Sequence, residues 1–313
     1  MALVPMPELL SRARDGGYAV GYFEAWDSYS LEAVIAAAEA EHAPVIIGFG
    51  CMLLDQAWLE RGGIELFGAI GRPMAESCGV PVSLLLNEAH TIEHALRGID
   101  AGFNAVMICD SDTDRNARLV AAAHAAGVAV EAELGQLPDG GPDGRIDSSR
   151  AELTDPEQAA AFVVATGVDA LAVSFGNVHT LEGAPATVDL ERLAAVHARV
   201  EVPLVAHGGT AFPAEAVPGA IQRGVAKFNV GTVLKRTYLD LLREATAAVS
   251  ARDSPHDLVG SHNDRDLLAA GKAGITEVVR ALIRRFGASG HAADWNVVGA
   301  REKALLSLDS KGG

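Results

Sequence analysis

Short apolar runs alternate with longer amphipathic stretches along most of the chain. The runs at residues 19–23, 44–50, 82–87, 105–110, 129–134, 170–175, 203–207 and 226–230 are each five to seven residues long and mostly aliphatic. Runs of that length and composition predict strands buried on both faces, as in a parallel sheet covered by helices. Between them lie SLEAVIAAAEAEH, TIEHALRGIDAG, DRNARLVAAAHAAG, DPEQAAAFVVATG and DLERLAAVHARV, with apolar residues three and four apart and glycine often at the stop. Eight such units predict an α/β fold of the closed (β/α)8 TIM-barrel type, with residues 1–313 as one domain and the active site at the strand C-termini. The competing architecture is an open doubly wound sheet. It calls for a glycine-rich dinucleotide turn after the first strand, and GYFEAWDSYS has the wrong chemistry for a pyrophosphate.

Two stretches stand outside the repeat. Residues 135–153 are rich in Gly, Pro, Asp and Ser and too long for a simple strand-to-helix turn, which predicts a mobile lid beside the site. From about residue 254 the chain adds a long amphipathic helix as a C-terminal extension. Such a helix packs across the barrel or against a neighbouring subunit, and a homodimer or homotetramer is the expectation.

Composition narrows the partners. The chain has 313 residues, 49% of them hydrophobic, enough for a full barrel core. It carries 25 Lys and Arg against 41 Asp and Glu, a net charge of −16, which argues against nucleic acid or an anionic membrane as partner. Any phosphate must be held by local groups. Cys51, Cys78 and Cys109 are odd in number and lack zinc-knuckle spacing, so they are expected as buried reduced thiols of a cytoplasmic protein. No basic leader precedes an apolar core, and no uncharged run approaches the roughly 20 residues that span a bilayer.

The strand ends carry the chemistry. They present Glu24, Gly50, Asn87 with Glu88, Asp110, Glu131 with Glu133, Asn177 with His179, His207, and Asn229 with Gly231. Carboxylates and imidazoles gathered on one rim suit a divalent cation, with His179 and His207 as ligands. Asp110 is either a hydrogen-bonding partner of the ligands or a plain helix cap. The run VPLVAHGGT places His207 directly before two glycines and a hydroxyl, where backbone N–H groups can approach an anion that a Cβ would exclude. His90, His94, His124 and His197 fall within helical patterns and read as surface or structural residues.

The motifs AAAEAEHAPVIIGFG, VEAELG, TDPEQAAAFVVATGVDALAVSFGNVH, VPLVAHGGT and KFNVGT together resemble the class II zinc-dependent fructose- and tagatose-bisphosphate aldolases, in order and spacing, over about residues 15–250. The resemblance implies that His179 and His207 bind a catalytic Zn2+ or another divalent metal. It implies that Gly208, Gly209 and Thr210, with Asn229, Gly231 and Thr232, hold the phosphate of dihydroxyacetone phosphate.

The chain departs from the family pattern at chemically important points. Where these aldolases carry Leu-Asp-His-Gly, this chain has Leu86-Asn87-Glu88-Ala89, which replaces a proton-transferring aspartate and a third zinc histidine together. Two histidines and a glutamate still form an accepted catalytic zinc site, so Glu88 is expected as third ligand. The alternatives are that Glu133 completes the metal site and Glu88 transfers protons, or that the metal is absent. Asn87 can only orient a substrate oxygen. The tyrosine and lysine expected after His179 are replaced within Thr180-Leu181-Glu182-Gly183, the family's Asn-Val-Asp-Thr or Asn-Val-Ala-Thr reads Asn-Val-Gly-Thr, and the arginine for a distant phosphate falls at Ala269. These losses point from a bisphosphate toward a monophosphate or acidic ketose, with Lys227, Lys235 and Lys272 as possible compensating cations. Glu182, or Asp139 or Asp143 of the lid, are the candidate bases.

The reaction these residues imply is a metal-dependent aldol cleavage or condensation through a zinc-stabilised enediolate. No lysine ends a strand in a manner suited to imine chemistry. An isomerase or epimerase using the same enediolate, and a non-catalytic sugar-phosphate binder, are the competing readings.

Overall fold

In the computed structural model, which describes residues 2–295, eight parallel strands close into a barrel. They are β1 (Val20–Ala25), β2 (Val45–Gly50), β3 (Val82–Ala89), β4 (Ala105–Ile108), β5 (Ala129–Leu134), β8 (Ala170–Val173), β9 (Leu204–Ala206) and β10 (Val225–Val230); β6 (Asp139–Gly140) and β7 (Ile146–Asp147) form a separate small hairpin. Around the barrel the order is β1-β10-β9-β8-β5-β4-β3-β2, so each strand pairs with its successor and the last pairs with the first. The eight predicted strands are all present, each shifted by no more than two residues at either end. Their apolar residues are buried, Leu134 at the end of β5 only partly, because helices cover the outside and side chains fill the inside.

Helix starts follow capping chemistry. Asp27, Thr91, Asp112, Asp155 and Asp189 each accept a backbone N–H at the start of a barrel helix. Asp112, not Asp110, is the cap before Thr113–Ala125. A helix over Met6–Gly16, which the apolar periodicity described above does not single out, packs against β1 and β10.

The C-terminal extension forms a helix over Leu267–Arg285, packed on Ser28–Ala40 and Thr232–Ala247. Its stripe of Ile275, Val279 and Ile283 is buried within the chain, and Arg280 and Arg284 both bond Glu41. It therefore lies on the barrel itself and carries no argument for a second subunit; residues 296–313 of the expected domain lie outside the described residues. Among the described residues, no helix is long and apolar enough to cross a membrane.

The segment expected as a lid is less free than its composition suggests. The β6–β7 hairpin is tied to the site by Gly140 N–H donating to the His179 carbonyl (2.7 Å) and His179 N–H donating to Pro138 (2.9 Å). Cys51 and Cys78 are buried as expected, but Cys109 is exposed, because β4 ends one residue earlier and the chain there turns onto the rim.

Candidate active site

Residue alternation along each strand sends every second side chain inward. Tyr22 and Glu24, Glu131 and Glu133, and Lys227 and Asn229 are such pairs. Strand β3 breaks the rule. Its register shifts between Leu86 and Ala89, and Glu88 takes a left-handed backbone (φ 54°), a conformation that costs a residue with a side chain about 1–3 kcal/mol. The irregularity lets Asn87 and Glu88, though adjacent, both line the same cavity.

Glu88, His179 and His207 meet at the mouth of the barrel, with one ligand-type atom from each lying within 4.8 Å of the others. The two imidazoles stack at 5.6 Å between centroids. His207 is 1% exposed; its Nδ1 lies 3.6 Å from Glu88 Oε1 and 2.9 Å from Glu133 Oε2. His179 Nε2 lies 4.0 Å from Glu133 Oε2. Neither ring nitrogen has a hydrogen bond of good geometry, and both are buried. Pairs of buried imidazole nitrogens aimed at carboxylates without bonding them are what a cation would complete.

Below this triad runs a charged network. His207 Nε2 donates to Glu131 Oε1 at 3.0 Å, and Lys227 Nζ donates to Glu131 Oε2 at 2.7 Å and to Asn229 Oδ1 at 2.6 Å. Glu131 and Lys227 are fully buried. Asn177 Nδ2 holds the His207 carbonyl at 3.1 Å.

The network sets the charge of each group. Burial pushes Glu88 up to about 7, opposed by His207 and helped by Glu133 and Glu24. Burial alone disfavours a charged His207, but the Glu131 and Glu133 carboxylates outweigh it and raise its pKa to about 10. Burial lowers His179 and keeps it neutral, the form that ligates metals. Glu133 is also buried, yet His207 and His179 hold its pKa below the ordinary value.

An open cavity of about 260 Å³ adjoins the triad, lined by Asn87, Glu88, His179 and His207 on one side and Gly208 to Thr210 with Asn229 to Thr232 on the other. Gly208 has φ 72° and a Cβ there would strike the Val178 carbonyl, so the turn after His207 requires glycine. The Gly209 N–H, expected to face phosphate, instead donates to the Asn229 carbonyl (2.8 Å) and closes the turn. Thr210 Oγ1 accepts from Val233 N–H at 3.1 Å, which leaves its own proton for a ligand at the start of the Thr232–Ala247 helix.

Several expectations are corrected by position. Asp110 bonds Arg115 (2.7 Å) and the Asp112 N–H (2.8 Å) and faces a separate rim cavity, because β4 ends two residues earlier and the loop folds its carboxylate back on itself. It touches neither histidine. Glu182 reaches the main cavity but is held by both nitrogens of Arg236, Nε at 2.7 Å and Nη2 at 3.0 Å; this two-point ion pair fixes the carboxylate against the arginine and holds its pKa below the ordinary value. Asp143 pairs with Arg145 on the surface, and Asp139 is exposed. Of the three lysines named as possible compensating cations, only Lys235 lines the cavity, bonded to Glu24 at 2.6 Å; Lys227 is buried beneath it, and Lys272 pairs with Glu32.

Tyr22 and Arg236 shape the site without having been singled out for it from the sequence, which marked Glu24 and Glu131 only as strand-end residues and Lys227 only as a compensating cation for substrate. The i, i+2 spacing of Glu131 with Glu133 and of Lys227 with Asn229 was the available signal.

The profile of the family described as "Fructose-bisphosphate aldolase class-II" matches residues 4–291. A fructose-bisphosphate aldolase of Geobacillus stearothermophilus is 33% identical over 94% of this chain and its own full length. A 6-phospho-5-dehydro-2-deoxy-D-gluconate aldolase of Shouchella clausii is 33% identical over 94% of this chain and 97% of its own. The crystal structure of the YdjI aldolase from Escherichia coli K12 superposes with a TM-score of 0.74 at 29% identity, covering 93% of this chain and 99% of that one. Matched over nearly its whole length in sequence and in fold, the chain belongs to the class II fructose-bisphosphate aldolase family and is a class II aldolase-like lyase.

Proposed function

We propose that this protein is a divalent-metal-dependent aldolase that cleaves or forms a carbon–carbon bond of a ketose carrying one phosphate. The convergence of Glu88, His179 and His207 beside a glycine-rich anion cradle is the observation that carries the reading. Zn2+ is the metal expected for the family, and the unbonded ring nitrogens of His179 and His207 with the Glu88 carboxylate fit it in chemistry and number. Such a cation supplies Lewis acidity that stabilises the electron pair left on the ketose when the carbon–carbon bond breaks.

The chain's own groups do the rest. Glu131 accepts a hydrogen bond from His207 Nε2–H, which fixes the ring and leaves Nδ1 available to a metal. Gly208, Thr210 and Thr232 at the start of the Thr232–Ala247 helix hold the phosphate through backbone and hydroxyl donors aided by the helix dipole. Asn87 orients a substrate oxygen. Glu24 and Glu182 are already paired with Lys235 and Arg236, which leaves Glu133, beside both histidines, as the carboxylate placed to carry a proton.

A single phosphate follows from the same pairing. Lys235 and Arg236, the cations lining the cavity, are each neutralised by a carboxylate of this chain, so a second phosphate would have to break an ion pair. The name of the Shouchella relative describes a sugar acid with one phosphate, a substrate of that charge pattern. The test is to incubate zinc-loaded protein with dihydroxyacetone phosphate and a panel of aldehydes. Condensation products are expected; absence both of condensation and of solvent-deuterium exchange into dihydroxyacetone phosphate would overturn the reading.

A further inference from the structure

Tyr22 sits on β1 in register with Asn229 of β10 and lines the main cavity. It is 2% exposed, and its hydroxyl is buried with no hydrogen-bond partner among the described residues. A buried hydroxyl left unpaired is costly, and phenylalanine would fill nearly the same volume without that cost. Two more orphans face the cavity, Asn87 Oδ1 from β3 and Asn229 Nδ2 from β10. The Asn229 amide is oriented by Lys227, whose Nζ donates to Oδ1, so its free atom is a donor. The free atom of Asn87 is an acceptor, and the phenol can serve as either.

Three strands thus present a donor, an acceptor and a hydroxyl, all unsatisfied, to one volume. A carbon chain bearing neighbouring hydroxyls, each of which both donates and accepts, satisfies such a set. We propose that Tyr22 contacts the substrate, donating its hydroxyl hydrogen to an oxygen of the ketose carbon chain where Asn87 and Asn229 bind the neighbouring hydroxyls. Burial, then the carboxylates of Glu24 and Glu88, raise the phenol's pKa well above its ordinary value, so it stays a donor at any working pH. The assignment rests on the aldolase reading and adds a residue that selects a polyhydroxylated chain over a deoxygenated one.

The test is Tyr22→Phe in the zinc-loaded protein. Loss of one substrate hydrogen bond should lower kcat/KM for cleavage about 10- to 100-fold. Zinc content by elemental analysis should not change, and the ligand-free variant should melt about 2–5 °C higher, because an unpaired buried hydroxyl has been removed. A tyrosine that only fills space would give the same melting rise and unchanged zinc content but leave kcat/KM at the parent value. The proposal is overturned if Tyr22→Phe keeps kcat/KM within about twofold of the parent, melts lower, or loses zinc. A parent chain that turns over while Tyr22→Phe matches it sinks only this assignment, whereas a parent without turnover removes the aldolase reading and this one with it.

Discussion

His207 turns Nε2 toward Glu131 at 3.0 Å, which commits that nitrogen to a proton and leaves Nδ1 facing the side where Glu88 and His179 converge. An outer partner of this kind sets the tautomer and basicity of a ligating ring. Glu131→Gln keeps the shape but can neither hold charge opposite Lys227 nor stabilise the ring as strongly. Zinc affinity, measured by competition with a chromogenic chelator, should fall about 10- to 100-fold.

The ligand assignment makes its own demands. His207→Ala should abolish zinc retention by elemental analysis while the helical circular dichroism stays close to that of the parent. Glu88→Ala should weaken retention and Glu88→His should keep it, since imidazole is the family's ligand type there. If Glu88→Ala retains zinc fully and loses turnover, Glu88 is the proton carrier and Glu133 the ligand.

Proton linkage gives a test that needs no substrate. In the metal-free protein the folded-state pKa of Glu88 (about 7) and of His207 (about 10) both lie above the ordinary values of 4.5 and 6.5. Both groups therefore bind protons more tightly when folded, and the stability they contribute at low pH is lost as pH rises, through about 7 for Glu88 and about 10 for His207. Thermal melts of the metal-free protein should fall across that window. Zinc displaces the same protons, so its apparent affinity should rise by up to about 100-fold per pH unit below neutrality and about tenfold per unit just above it. A flat profile would dismiss His207 and Glu88 as ligands.

Lys227 tests the floor of the barrel. Its ammonium and the Glu131 carboxylate are both fully buried, 2.7 Å apart, so removing one leaves a charge stranded in a low dielectric. Lys227→Met should lower unfolding stability by about 3–5 kcal/mol in urea titration, far more than loss of an exposed pair such as Arg12–Glu8.

The strand runs, the barrel and the two histidines were legible in the sequence because each is a local signal, an apolar run that stops at a polar residue. Asp110 misled for the same reason. It follows an apolar run just as His207 does, but β4 ends sooner and the loop turns its carboxylate away, a matter of strand length and loop path that no local pattern encodes. Glu131 was visible at a strand end, yet its service to His207 depends on the distance across the barrel from β5 to β9. Tyr22 read as one more apolar strand position; only the closed barrel reveals that its hydroxyl meets nothing.

The carboxylate of Glu24 reaches across the barrel mouth into the volume that a side chain on Gly231 would occupy. Positions 24 and 231, far apart in the chain, are thus coupled at the mouth: the glycine at one makes room for the carboxylate at the other. Any redesign that places a side chain at 231 must therefore move or shorten residue 24, because the Glu24 carboxylate occupies that volume.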